Sequence, residues 1–390
     1  MKRLSFGKTL ALLLLPLSLT ACGGQADTVT SSSENSLVQA SAADYTVASW
    51  QELVEAVYEA KDGQVVQLSA DITDAGKTAS DTVDAVSTPT LKVDKDLTID
   101  GNGKTISAYA GEVLKTTLDQ QGNTVQSTVQ ASFCFALDGG AKRAKDGEPA
   151  VAGGKNIAIK NLTIDGASFS DKLGGAVYVE SDAVAELENV TIKNSKALSR
   201  LSSNSGGAIY VEPHAGTSAT LKAVNCSFED NAVNDGTTGR GGAIGVMNGK
   251  VTLENCHFSG NQAAFGGAVA AAGESELSII GCTFEEDNQS VFGGQDIYLF
   301  DGYTYYKKTM AVDSAVRHNL QNNIFKGKDG ADYTSYRLVR GSVLGDIVDT
   351  TSNEAQVIEL STKGAGTDFS AEQGHGLVFS DYTRQGVPEA

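Results

Sequence analysis

Five times between Ile157 and Phe284 the chain repeats one spacing: two apolar residues one apart, a two-residue bend, then two more apolar residues one apart. The copies are Ile157/Ile159/Leu162/Ile164, Ala185/Leu187/Val190/Ile192, Leu221/Ala223/Cys226/Phe228, Val251/Leu253/Cys256/Phe258 and Leu277/Ile279/Cys282/Phe284. An earlier stretch, Leu91/Val93/Leu97/Ile99, reads as the same unit with one extra residue in its bend. Alternation with period two predicts half-buried strands, and a fixed bend recurring once per unit predicts a wound solenoid. Such a structure places function on its outer faces and loops rather than in one deep pocket.

The residue before the third apolar position is Asp96, Asn161, Asn189, Asn225, Asn255 and finally Gly281. These residue types tolerate positive φ, so a left-handed residue is expected to turn the chain there without disturbing the inward register. Stacked coils would bring the Asn161, Asn189, Asn225 and Asn255 amides about 4.8 Å apart, within reach of a hydrogen-bonded ladder ending at Gly281.

A second mark accompanies each coil. Gly174-Gly175-Ala176-Val177, Gly206-Gly207-Ala208-Ile209, Gly241-Gly242-Ala243-Ile244 and Gly266-Gly267-Ala268-Val269 share one form, and Gly293-Gly294-Gln295-Asp296-Ile297 adds a residue. Glycine there fits a turn where successive backbones lie close. A third mark follows the inward phenylalanine, in Phe228-Glu229-Asp230-Asn231 and Phe258-Ser259-Gly260-Asn261. This alternation of G-G-A-[IV] with F-x-x-N, over residues 162–300, resembles the repeats of the chlamydial polymorphic outer membrane proteins and related bacterial surface proteins. The resemblance implies an all-β, right-handed parallel β-helix of the pectin-lyase-like superfold and a surface or adhesin role. Members of that family end in a membrane barrel, which needs many alternating segments of about ten residues. The stretch after Phe325 is too short for one, so a different anchor is expected.

The N-terminus supplies a candidate. Lys2, Arg3 and Lys8 precede an apolar stretch at residues 10–19, and Leu19-Thr20-Ala21-Cys22 resembles a bacterial lipobox. Residues 1–21 then read as a lipoprotein signal and Cys22 as the lipid-bearing first residue, anchored in the outer membrane or at the cell surface. Residues 22–44, rich in Ser, Thr, Ala and Gln, read as a flexible tether. Ser49-Trp50-Gln51-Glu52 is a capping-box pattern opening a short helix within residues 45–62 that would cover the first coil. The β-helix is expected over residues 63–326, with Ile297–Phe300 and Asn323-Ile324-Phe325 suggesting one or two coils beyond the fifth copy, and a C-terminal cap over 327–390. Polar stretches at residues 71–90, 111–128 and 139–153 read as projecting loops.

The net charge of −18 argues against nucleic acid or anionic lipid headgroups as partners. Cys226, Cys256 and Cys282 share one inward position and read as small apolar core residues, with a disulfide between coils as the alternative. Neither a cofactor nor a metal site is expected, and the chain reads as a monomer. After each glycine pair the outward series runs Tyr178, Tyr210, Gly245, Ala270 and Tyr298, with Phe300 beside it. Exposed aromatics on a flat sheet stack on sugar rings or anchor a protein partner, so Tyr178, Tyr210, Tyr298, Phe300, Tyr303 and Tyr305 form the candidate binding surface. Packing beneath a loop is the other reading of the same row. Two functions follow. One is a non-enzymatic, lipid-anchored adhesin or display scaffold meeting a glycan or a host or partner surface protein, with no catalytic residue assigned. The other is a polysaccharide lyase or glycoside hydrolase of acidic glycans, built on basic loop residues such as Lys142, Arg143 and Lys145. Gly374-His375-Gly376 resembles a polygalacturonase tripeptide, but the companion motifs are missing and it reads as a chance match.

Overall fold

The computed structural model describes residues 43–77, 90–118, 123–142, 151–169, 174–198, 206–213, 217–234, 239–306, 309–314, 316–326, 338–342, 356–358 and 367–370. They form an all-β, right-handed parallel β-helix, with the helix Trp50–Glu59 at its N-terminal end. Each regular coil contributes to three faces. The long sheet, of 15 strands, takes the two arms on either side of the Asn bend; a 10-stranded sheet takes the strand after the glycine pair. A narrow sheet of five short strands closes the coil, through Ser168–Phe169, Lys196–Ala197, Ala232–Val233, Gln262–Phe265 and Gln289–Gly293.

Register carries like onto like. Ile159, Leu187, Ala223, Leu253 and Ile279 follow one another up the first arm, in parallel pairing throughout. On the second arm Phe228, Phe258, Phe284 and Phe325 stack face to face, with centroids 5.0, 4.8 and 4.9 Å apart and planes within 14° of parallel. That separation is the inter-strand spacing itself, so a flat ring above its own copy fills the column without a step. Cys226, Cys256 and Cys282 stand beside them as free, buried thiols, and the Cys256 N–H donates to Cys282 Sγ at 3.3 Å.

The bend rests on positive φ. Asn161, Asn189, Asn225 and Asn255 have φ of 51°, 55°, 53° and 53°, and Gly281 65°. Asn189 Nδ2 donates to Asn161 Oδ1 at 3.2 Å, and Asn161 Nδ2 to Asp100 Oδ1 at 3.1 Å. Higher up, the row is joined through the backbone: the N–H groups of Asn225, Asn255 and Gly281 reach the carbonyls of Glu254, Ile280 and Gln321. A continuous buried ladder lies elsewhere, at the F-x-x-N asparagines. Asn261 Oδ1 accepts from both the backbone N–H and Nδ2 of Asn231, at 3.1 and 3.0 Å. Asn288 Oδ1 accepts the same pair from Asn261, and each amide also donates to the carbonyl of the coil below, Asn231 to Ile192 and Asn261 to Phe228. All three are fully buried, which is tolerable only because every amide group is bonded.

The glycine pairs answer to sterics. A Cβ on Gly175 would fall on the Gly207 carbonyl, one on Gly207 on that of Gly242, and one on Gly242 on that of Gly267. The next coil's backbone occupies the place of the missing side chain.

One placement corrects the sequence reading. Leu91/Val93 and Leu97/Ile99 are not the two arms of one bend. Leu91 and Val93 align with Phe135 and Leu137 on the 10-stranded sheet, whereas Leu97 and Ile99 align with Ile157 and Ile159 on the first arm. The bend of that coil is Asn102, at φ 51°, and its second arm runs through Lys104 and Ile106 opposite Leu162 and Ile164. Asp96 accepts from the Asn156 N–H at 2.7 Å instead of turning the chain. A further coil also follows the fifth regular copy. His318, Leu320, Asn323 and Phe325 align with Leu277, Ile279, Cys282 and Phe284, and Asn322 supplies the bend at φ 53°. Its first and third positions are polar but inward, with Asn323 bonded to the Cys282 N–H and the Ile279 carbonyl.

At the N-terminal end Ser49 Oγ accepts from the Glu52 N–H and Glu52 Oε2 from the Ala48 N–H, while Asp74 Oδ1 accepts from Trp50. With its first turn so satisfied, the helix lays Trp50, Leu53, Ala56 and Val57 on the open core, Trp50 edge-on to Phe133 and Phe135.

Asn225→Val and Asn255→Val force a β-branched residue into left-handed backbone and are expected to lower stability by about 1–3 kcal/mol each in thermal melts; Asn255→Gly should be close to neutral. Asn261→Leu strips partners from Asn231, Asn288 and the Phe228 carbonyl at once, with an expected loss of about 2–4 kcal/mol in denaturant unfolding.

Candidate functional site

The aromatic row lies on the outer side of the 10-stranded sheet, as alternation with inward Val177 and Val179 requires. Tyr178, Tyr210, Gly245, Ala270 and Tyr298 are consecutive rungs. Tyr178 and Tyr210 stack at 5.9 Å and Tyr298 lies 4.1 Å from Phe300. The expectation of an exposed surface does not hold for most of them. Tyr210 is 1 % exposed, Tyr298 4 % and Phe300 3 %, and Tyr178 alone is half-buried. Their cover comes from the same chain. Phe265 meets Tyr298 and Phe300 edge-on at 5.1 and 5.3 Å, and the Arg240 guanidinium lies 3.9 Å above the Phe300 ring.

Gly245 and Ala270 leave a gap in the row between Tyr210 and Tyr298, and Arg240 lines that gap. The remaining crevice is too narrow to admit a water molecule. Burial draws the guanidinium down to about 10, which leaves it charged at neutral pH, and burial with the nearby Glu212 raises the Tyr210 phenol. A buried cation over an aromatic face is a cohesive contact, worth about 2 kcal/mol when desolvated. Tyr303 and Tyr305 continue into a hairpin, opposite Val312 and Met310; their side chains lie outside the described residues.

Polar outward positions also bond between coils. Lys160 reaches Glu188 at 3.0 Å, Lys193 Asp165 at 3.5 Å, Lys222 Glu254 at 3.3 Å and Lys250 Glu276 at 3.1 Å, each pair joining neighbouring rungs. The outward His257 belongs to a connected row that the sequence reading missed. Its Nε2 is 2.8 Å from Glu285 Oε1, which also takes Lys326 Nζ at 2.6 Å, and its Nδ1 is 3.5 Å from Ser227 Oγ. A serine, a histidine and a glutamate in line invite comparison with a nucleophilic triad. In such a triad the hydroxyl must donate to the histidine. Here Ser227 Oγ donates to Glu229 Oε1 at 2.7 Å and the short histidine bond goes to the carboxylate. The arrangement clips coils together.

The remaining candidates are dispersed. Lys142 is exposed and bridges to Val151, while Arg143, Lys145, His214, His375 and Cys22 lie outside the described residues. His318 faces the core. Asp100 bonds Gln67, Asn102 and Asn161 as a turn does. Among the described residues no group of three or more His, Cys, Asp and Glu is placed to hold a metal ion.

A family model described as "Right handed beta helix region" matches residues 150–339. No curated protein sequence matches the chain. Among solved structures, a doubly substituted pectate lyase from Xanthomonas campestris is similar over 73 % of this chain and 80 % of its own, at 12 % identity and a TM-score of 0.30. The fold is thus supported from two sides, the coordinates and the matched family model.

Burial by itself would raise the Glu285 carboxyl above the ordinary 4.5; the hydrogen bonds from Lys326 and His257 outweigh it and hold the group below that value. A depressed folded value contributes stability above the unfolded one, and that contribution disappears as pH falls through the folded one. Glu285→Gln is therefore expected to lower the melting temperature at pH 6–7 and to flatten its decline below about pH 4.5 relative to the parent.

Proposed function

We propose that the protein is a non-enzymatic, lipid-anchored component of the bacterial envelope whose β-helix is a stiff stalk carrying projecting segments outward for binding. One observation carries the reading: the outward side chains of the regular coils are spent on one another. Lysines meet the carboxylates of neighbouring rungs, His257 is held between Ser227 and Glu285, and Arg240 and Phe265 cover Tyr298 and Phe300 of the aromatic row. A wall so arranged is cohesive along its axis and offers a ligand few uncommitted groups. The segments that leave the coils, such as the hairpin Glu112–Leu118 and Thr124–Gln130, then become the contact surface, toward a glycan or a protein of another surface. The lipobox-like Leu19-Thr20-Ala21-Cys22, the polar tether after it and the likeness of the G-G-A-[IV] and F-x-x-N repeats to bacterial surface proteins support the cellular placement. The high negative charge fits an exported role without nucleic acid as partner.

Cys22→Ser is expected to shift the protein from the membrane fraction to the soluble fraction of the producing cell and to abolish incorporation of labelled palmitate. Incubation of the full chain with polyuronates is expected to yield neither unsaturated products nor new reducing ends. Turnover that is lost on replacing Lys142, Arg143 and Lys145 would overturn the non-enzymatic reading.

A further inference from the structure

Between the strand ending at Ala108 and the one beginning at Cys134 the chain leaves the coil as a hairpin. Glu112–Leu118 pairs antiparallel with Thr124–Gln130 over seven rungs without a register shift, and the Ala131 N–H closes the base on the Gly111 carbonyl. The two strands form a sheet of their own. Each therefore carries an outer edge that pairs with no other strand among the described residues. A lone two-stranded ribbon is marginal in water, and folded proteins usually blunt such edges with charge, proline or a bulge.

The two edges differ. Glu112–Leu118 carries Lys115 at its midpoint, a charge that disfavours edge pairing. Thr124–Gln130 reads Thr-Val-Gln-Ser-Thr-Val-Gln, with no charge, proline, glycine or bulge, and Thr124 and Val125 are exposed. It is also nearly symmetric about Ser127. Gln126 and Thr128 lie one step either side, Val125 and Val129 two, Thr124 and Gln130 three. A two-fold axis through Ser127 would therefore set Val125 of one copy opposite Val129 of the other, and serine opposite serine. Every rung then joins residues that suit a strand and carry no like charges. The same operation on the other edge would set lysine against lysine.

We infer that the Thr124–Gln130 edge pairs antiparallel with the same edge of a second copy, merging two hairpins into one four-stranded sheet. The interface is isologous and closed, as a two-fold dimer requires, and each outer edge of the merged sheet keeps Lys115 as its guard. The contact is small, so the dimer forms and dissociates readily rather than permanently. The inference concerns the same hairpin as the proposed function but does not rest on that reading, since it needs neither the lipid nor a foreign ligand.

The test uses the full chain carrying Cys22→Ser, so that no lipid gathers the copies; the four remaining thiols are buried. Ser127→Cys is expected to give a covalent dimer with a short bis-maleimide, and Lys115→Cys to remain monomeric under the same conditions. Ser127→Lys, at the centre of the hairpin strand, should keep the parent melting temperature while weakening self-association at least tenfold in sedimentation. Equal cross-linking at both positions, or monomers throughout at the highest concentration reached, would overturn self-pairing. So would capture of Ser127→Cys on cells solely by a different polypeptide, because that edge would then have another occupant.

Discussion

A single distance governs this molecule: the spacing of about 4.8 Å that backbone hydrogen bonds impose between parallel strands. Each coil must repeat the one beneath at that interval, so every inward column has to accept a copy of itself. Phenylalanine satisfies the demand by stacking flat, as in the column from Phe228 to Phe325. Asparagine satisfies it differently, since an amide carries donor and acceptor together and can pass a bond upward indefinitely, as Asn231, Asn261 and Asn288 do. Glycine satisfies it by absence, giving Gly175, Gly207 and Gly242 room for the carbonyl of the next coil.

The same constraint shapes the surface. Outward residues also recur at one interval, which places Lys160 beside Glu188 and His257 beside Ser227 as a matter of register. Exposed ion pairs of this kind are individually weak, about 0.2–1 kcal/mol, and act as a distributed seam rather than a site. Where small residues interrupt an outward aromatic row, at Gly245 and Ala270, the Arg240 side chain fills the gap and Phe265 closes over it. Departures from the repeat, such as the hairpin before Phe133, are where individuality enters.

The sequence reading erred where two physical effects produced one pattern. Leu91-x-Val93 and Leu97-x-Ile99 have nearly the spacing of a bend unit, yet they belong to different sheets, because alternation reports inward and outward without saying which wall a strand joins. Asp96, legible as a bend residue, instead bonds the coil above, and the true bend at Asn102 lay inside a run readable as a turn. The last coil was legible only in part, through Asn323-Ile324-Phe325, because His318 and Asn323 are polar at positions expected to be apolar. An inward asparagine is affordable there since the Cys282 N–H and the Ile279 carbonyl meet its amide, partners separated from it by about forty residues of chain.

The amino-acid sequence by itself determined the winding. Period-two alternation, a left-handed-tolerant residue at each bend and paired glycines at each return are local requirements, each expressed within a few residues of where it acts. The exposure of the outward aromatics was decided only in three dimensions. Tyr210, Tyr298 and Phe300 are outward on their strands and buried in the molecule, because Arg240 and Phe265 come from other parts of the coils and reach them only once the coils are stacked. Strand alternation is a property of one strand's backbone, whereas burial depends on every atom that comes near, and most of those atoms are distant in sequence.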